Sequence, residues 1–162
     1  MTVKVHLSPS NPEEHEPGHM ALSWHDDDST FRGYVFRVED LPAEFQTSER
    51  WRDYLFANTV PGHVIDDISM RDKAERNTGE LLEQSWPADS QQVAVLQRIC
   101  KEGRQGVYSF NPDDHSGAHN CVTWVTSRAT EALGEVLPKV RQGRIKLMAE
   151  VLRSRQNQRF TS

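Results

Sequence analysis

Two clusters in the chain hold residues suited to covalent chemistry. In Tyr108-Ser109-Phe110 … His119-Asn120-Cys121-Val122-Thr123-Trp124, a short apolar strand leads through a polar loop to a cysteine opening an expected helix. The unpaired amides and positive dipole end of a helix favour thiolate over thiol, so Cys121 is expected to be a primed nucleophile. The second cluster, Pro17-Gly18-His19-Met20-Ala21-Leu22-Ser23-Trp24, sets a histidine at the start of an alternating strand. Cysteine catalysis needs a base, and His19 is the candidate, with the first-turn amides of the helix serving a developing oxyanion. A third polar group usually orients the base. His25, Glu39 and Asp40 at the ends of the following hairpin are candidates, with Ser23 beside the histidine. His119, two residues before the cysteine, is placed to lower the thiol pKa or to touch substrate. Asn120 is a further supporting candidate.

The same stretch permits a second chemistry. His115, His119 and Cys121, with Asp113 and Asp114, are residue types that bind zinc, but their spacing matches no standard pair of zinc knuckles. His25-Asp26-Asp27-Asp28 lacks the alternating ligands and glycine of a calcium loop and reads as a charged hairpin tip. No metal and no cofactor are expected. Cys100 falls on the apolar stripe of a helix and reads as a core side chain.

The elements that must hold these residues follow from periodicity. Thr2–Leu7 alternates and predicts a strand; residues 8–18 contain three prolines and predict a loop. From His19 to Trp24 the alternation turns Met20, Leu22 and Trp24 inward and leaves His19, Ala21 and Ser23 on the other face. Phe31–Val38 is the return strand of a hairpin. Residues 48–57 predict a helix capped by Ser48. Pro61-Gly62 reads as a turn, Val64–Ile68 as a strand, and the polar stretch 72–79 carries no pattern. Asp89 caps a helix with Val93, Leu96, Ile99 and Cys100 as its buried stripe, ended by Gly103 and Gly106. Val107–Phe110 is a short strand. Helices follow over about 120–133, stopped by Gly134, and over about 139–155. The expected class is α+β: one domain over 1–162, a small antiparallel sheet packed against helices, with a basic C-terminal helix from about 139.

Gly18-His19-Met20-Ala21-Leu22, followed later by a helix, a strand and Asn120-Cys121 opening a helix, resembles the circularly permuted papain-like cysteine enzymes. These include the NlpC-related, lecithin retinol acyltransferase-like and PPPDE-like groups and several bacterial effector enzymes. There the histidine strand precedes the cysteine helix, the reverse of papain. The resemblance covers the two motif regions and the helix before the second, about half the chain, with His19 and Cys121 separated by 102 positions. It implies a permuted papain-like fold with a Cys121–His19 pair. The departure is the third group, since Phe31–Val38 holds no His, Asp, Asn or Gln. The pair could therefore act as a dyad.

Composition bounds the partners. The 162 residues are 36% hydrophobic, with a net charge of −5 and a mean hydropathy of −0.72. No apolar run is long enough to cross a membrane, and no basic-then-apolar leader is visible. Two cysteines in a chain without such a leader are expected to stay reduced. Residues 13–49 carry ten acidic side chains against Arg32 and Arg37, whereas Lys139–Arg159 carries seven basic residues against Glu150. Without interleaved aromatics or a nucleic-acid motif this asymmetry does not indicate nucleic-acid binding. An anionic partner on the basic helix, whether a protein or a lipid surface, and a solvated face opposite the chain's own acidic region are the readings left.

The expected activity is a thiol hydrolase that cleaves an amide, peptide or isopeptide bond through a Cys121 acyl-enzyme. Its partners would be peptide, protein or acyl substrates. An acyltransferase of the same fold and a non-catalytic interaction domain in a bacterial effector or toxin are the alternatives. The expected location is cytoplasmic, or inside a target cell after delivery without a cleaved signal peptide.

Overall fold

The computed structural model describes residues 1–9, 18–25, 31–38, 51–66, 80–102 and 105–161. Their elements are β1 (Thr2–Ser8), β2 (His19–His25), β3 (Phe31–Val38), α1 (Trp51–Ala57), β4 (Val60–Asp66), β5 (Leu82–Pro87), α2 (Ser90–Glu102), β6 (Gln105–Tyr108), β7 (Ala118–His119), α3 (Cys121–Leu133) and α4 (Ile145–Thr161). Short 3-10 turns cover Pro112–Asp114 and Arg141–Gly143. The class is α+β.

One seven-stranded sheet runs β5-β1-β2-β3-β4-β6-β7, antiparallel except for the β6–β7 pair. Alternation in the strands sorts its faces. Val3, Val5 and Leu7 of β1, Met20, Leu22 and Trp24 of β2, Tyr34 and Phe36 of β3, Val64 of β4, Leu82 of β5 and Tyr108 of β6 share one face by register. All are buried. Helix α3 lies on this face: the Trp124 ring stacks on Phe36 at 6.2 Å, and Phe36 stacks on Tyr108 at 5.6 Å. Helix α2 packs its Val93–Leu96–Cys100 stripe against α3. Helix α4 reaches the same face at β5, where Arg155 donates to Gln84.

The opposite face of β2 differs from the amphipathic expectation. Ala21 and Ser23 are 2% and 3% exposed, so both sides of this central strand are covered.

Three other expectations change. Pro61-Gly62 sits inside β4 rather than in a turn. The Phe36 ring lies where a Gly62 side chain would start, 2.5 Å from an ideal Cβ, so the glycine is a packing requirement. Gly106 lies in β6 and ends no helix. The last helix begins at Ile145, because Gln142 and Gly143 take positive φ values of 53° and 55° that an α-helix cannot accommodate. Strand β5 has no counterpart in the sequence-based expectation. Ser48, Gly103, Glu39 and Asp40 lie outside the described residues.

Candidate functional site

The start of α3 is built by a reciprocal cap. The Asn120 side chain accepts from the Thr123 amide at 3.0 Å, and the Asn120 amide donates to the Thr123 hydroxyl at 3.0 Å. Asn120 Nδ2 also donates to the Gln142 and Gly143 carbonyls, both at 3.1 Å. Its polar atoms are thus spent on holding the helix start against the Arg141–Gly143 turn. A Cβ on Gly143 would lie 2.6 Å from Asn120 Oδ1, so this turn approaches the cap too closely for any side chain. Asn120 positions Cys121 through the backbone.

The sheet opens beneath Cys121. The β2–β3 ladder joins Leu22–His25 to Tyr34–Phe31 and then stops. Beyond it, residues 19–21 pair with β1, and residues 35–38 pair with β4. The first turn of α3 meets this opening, where the Met20 amide donates to the Cys121 sulfur. His19 is the residue immediately before that amide and is half-buried. The starts of β2 and α3 thus meet at the backbone across a separation of 102 positions.

The electrostatics of the thiol differ from the expectation of a primed thiolate. Burial pushes the Cys121 pKa up from its ordinary value of 9.0. The amides of Met20, Val122 and Cys121 itself, and the positive charge of Arg37, pull the other way without cancelling it. A helix start lowers a thiol pKa only where the desolvation cost of the anion is smaller than the stabilisation by the dipole. Cys121 is 6% exposed, and the desolvation dominates. Tyr108 is raised well above its usual value, first by its own burial and then by the nearby Cys121, against the pull of Arg37.

Other candidates occupy different positions. Ser23 Oγ lies 2.6 Å from His6 Nε2, and His6 Nδ1 lies 2.9 Å from Glu83 Oε1, a chain across β2, β1 and β5. Ser23 is thereby tied to His6. His25 stands exposed at the far end of β2, six residues from His19. His119 packs edge-on to Phe36, and its Nδ1 lies 3.1 Å from the Thr123 hydroxyl. Burial, and then the Arg128 charge, lower its pKa from 6.5.

His119 also lines a cleft of about 420 Å³ between α3 and the two 3-10 turns, together with Thr123, Ser127, Thr130, Asp113 and Lys139. Neither Cys121 nor His19 opens into it, because the cleft borders the side of α3 turned away from the sheet opening. The zinc set is not assembled: among the described residues, no three His, Cys, Asp or Glu side chains are grouped to hold a metal. Asp113 instead accepts from the Gln142 amide at 2.7 Å.

Comparison with protein-family profiles, curated proteins and solved structures finds no match. Among the described residues no helix is long and apolar enough to cross a membrane.

Arg37 is a neighbour of Cys121 that the sequence-based analysis did not single out. The available signal was the alternation of β3: extending the Leu22–Tyr34 register places residue 37 at the level of residue 19. The basic C-terminal segment also resolves into internal contacts. Arg144 donates to the Phe110 carbonyl and to Asn111 Oδ1, Arg153 pairs with Glu80 at 2.7 Å, and Arg155 donates to Gln84 and the Val136 carbonyl.

Proposed function

We propose that the chain is a cysteine hydrolase of permuted papain-like architecture, acting on an amide, peptide or isopeptide bond. The observation that carries this reading is the contact between the Cys121 sulfur and the Met20 amide in the opening between β2 and β3, which sets the nucleophile beside the His19 backbone. In this reading burial keeps the resting thiol protonated. His19 therefore removes the proton as the sulfur attacks, so the resting pair is neutral rather than a thiolate–imidazolium. The Cys121 sulfur bonds to the carbonyl carbon and the proton passes to His19. His19 then returns it to the leaving amine as the carbon–nitrogen bond breaks. Amides at the start of α3 stabilise the oxyanion. Water completes hydrolysis of the acyl-enzyme, and an amine or alcohol in its place gives the acyltransferase alternative.

The test is covalent trapping with a peptidyl acyloxymethyl ketone, followed by mapping of the adduct. A stable thioether on Cys121, lost in Cys121→Ala and slowed at least about a hundredfold in His19→Ala, is the expected result for a lost general base. A second reading, a non-catalytic interaction domain, is favoured by the 6% exposure of Cys121 and its raised thiol pKa. An unmodified Cys121 in the folded protein would select it.

A further inference from the structure

Three polar side chains on the sheet face opposite the core form a relay that the cysteine chemistry does not use. Ser23 Oγ of β2 lies 2.6 Å from His6 Nε2 of β1, and His6 Nδ1 lies 2.9 Å from Glu83 Oε1 of β5. A hydroxyl, an imidazole and a carboxylate in this order are the parts of a serine hydrolase: nucleophile, base and the group that orients the base. Both distances lie within hydrogen-bond reach, which is the first condition on a nucleophile and its base.

The strands fix these positions. His6 is the direct partner of Glu83 across the β1–β5 ladder, and Lys4 is the direct partner of Ser23 across β1–β2. Residues two apart on a strand share a face, so His6 reaches Ser23 on the diagonal. Lys4 stands on the same face, with its ammonium 3.7 Å from Glu83 Oε2. On its other side Ser23 pairs with Gly33, which brings no side chain to this row. Exposure sets the direction of approach. Ser23 is 3% exposed, whereas the Lys4 and Glu83 side chains are 41% and 38% exposed.

We infer that Ser23, His6 and Glu83 are a second nucleophilic centre, one that takes esters of short-chain acids approaching over β1. The centre lies across the sheet from the face that α3 covers, and it does not depend on Cys121. Ser23 Oγ bonds to the ester carbonyl carbon as its proton passes to His6 Nε2. The bond from that carbon to the alcohol oxygen then breaks, and His6 returns the proton to the departing oxygen. Water attacks the acyl-serine and gives a proton to His6; the acid leaves, and Ser23 Oγ recovers the proton. The sequence uses the neutral ring with its proton on Nδ1, where Glu83 accepts it and stabilises the imidazolium that forms. The Lys4 ammonium is the charge in register with Ser23 for the oxyanion. The near-complete burial of Ser23 restricts the acyl group to a small one.

The experiment treats the folded chain with methanesulfonyl fluoride, a small serine-directed probe, and maps the adducts by mass spectrometry. A bond forms between Ser23 Oγ and sulfur, fluoride leaves, and the hydroxyl proton goes to His6. The expected adduct on the unaltered protein is on Ser23, formed faster than on any other serine. His6→Gln should slow it at least about a hundredfold. Glu83→Gln should slow it about tenfold and move the acid limb of its pH profile to lower pH, because the imidazolium loses its counter-charge. Loss of a purely structural contact would leave that limb in place. Acid quenching of a reaction with 4-nitrophenyl acetate should leave an acetyl ester on Ser23. Labelling of the unaltered protein requires no variant to fold. Absence of an adduct on Ser23, or labelling there no faster than on other serines, would overturn the centre. Adducts on Cys121 are mapped separately, so the cysteine reading stands or falls on its own result.

Discussion

At the scale of single residues, burial decides protonation, and it does so against local sequence cues. Cys121 stands where a helix dipole should favour its anion, yet the neutral thiol is held by desolvation. Alkylation of the folded protein by iodoacetamide should therefore accelerate only above pH 9.0, and at lower pH once the chain is unfolded in guanidinium. Parallel pH–rate profiles of the two states check this. His119 gives a stability prediction of definite sign. Its folded pKa is lowered from 6.5, so the unfolded chain binds the proton more readily. The stabilisation is complete above 6.5 and is lost as pH falls from there through the lowered folded value. Thermal melts from pH 7.5 to 5 should show a declining midpoint, and the decline should flatten in His119→Asn. The sequence showed which types were present at 119–121, but not which would be desolvated, because that depends on the residues 100 positions away that cover them.

At the scale of elements, the start of α3 is fixed by contacts made at both ends of a 23-residue separation, from Asn120 to Gly143. Asn120→Ala removes the cap and leaves one buried and one part-buried carbonyl without their donor, a loss of about 2–3 kcal/mol. Gly143→Ala forces a Cβ into the same side chain at a φ of 55°, and should cost a similar amount. Denaturant midpoints of the two variants and of the double variant check this. Since both substitutions disrupt one contact, the double should fall short of their sum. Much at this level was legible. The stripe Val93–Leu96–Ile99–Cys100, the cap at Asp89, and the stop at Gly134 follow from spacing that local interactions enforce. Strand β5 was not legible, because Leu82-Glu83-Gln84-Ser85-Trp86 owes its extended form to pairing with β1, some 80 residues earlier. Pro61-Gly62 misled for the same reason: the chemistry of a turn was present, while the ring of Phe36 supplied the deciding contact.

At the scale of the whole molecule, a single buried cluster draws on strands β1–β6 and the four helices among the described residues, from Val3 to Leu152. Trp24 and Trp124 sit in it, both essentially inaccessible. Unfolding followed by tryptophan fluorescence and by far-ultraviolet circular dichroism should give superimposable transitions, and Trp124→Ala should lower both by about 3–5 kcal/mol. The order of the strands was beyond the sequence, since alternation specifies which side chains share a face but not which strands are neighbours. The Glu83–His6–Ser23 chain has a bearing on that order. His6 bridges the two outer strands, with Nδ1 on Glu83 Oε1 and Nε2 on Ser23 Oγ. Sliding β1 by one residue would put Val5 or Leu7 level with Glu83 in place of His6 and turn the imidazole into the hydrocarbon layer. The three polar side chains act as a key that fits one alignment of the strands, and that alignment is what brings His19 to the mouth of the opening where Cys121 waits.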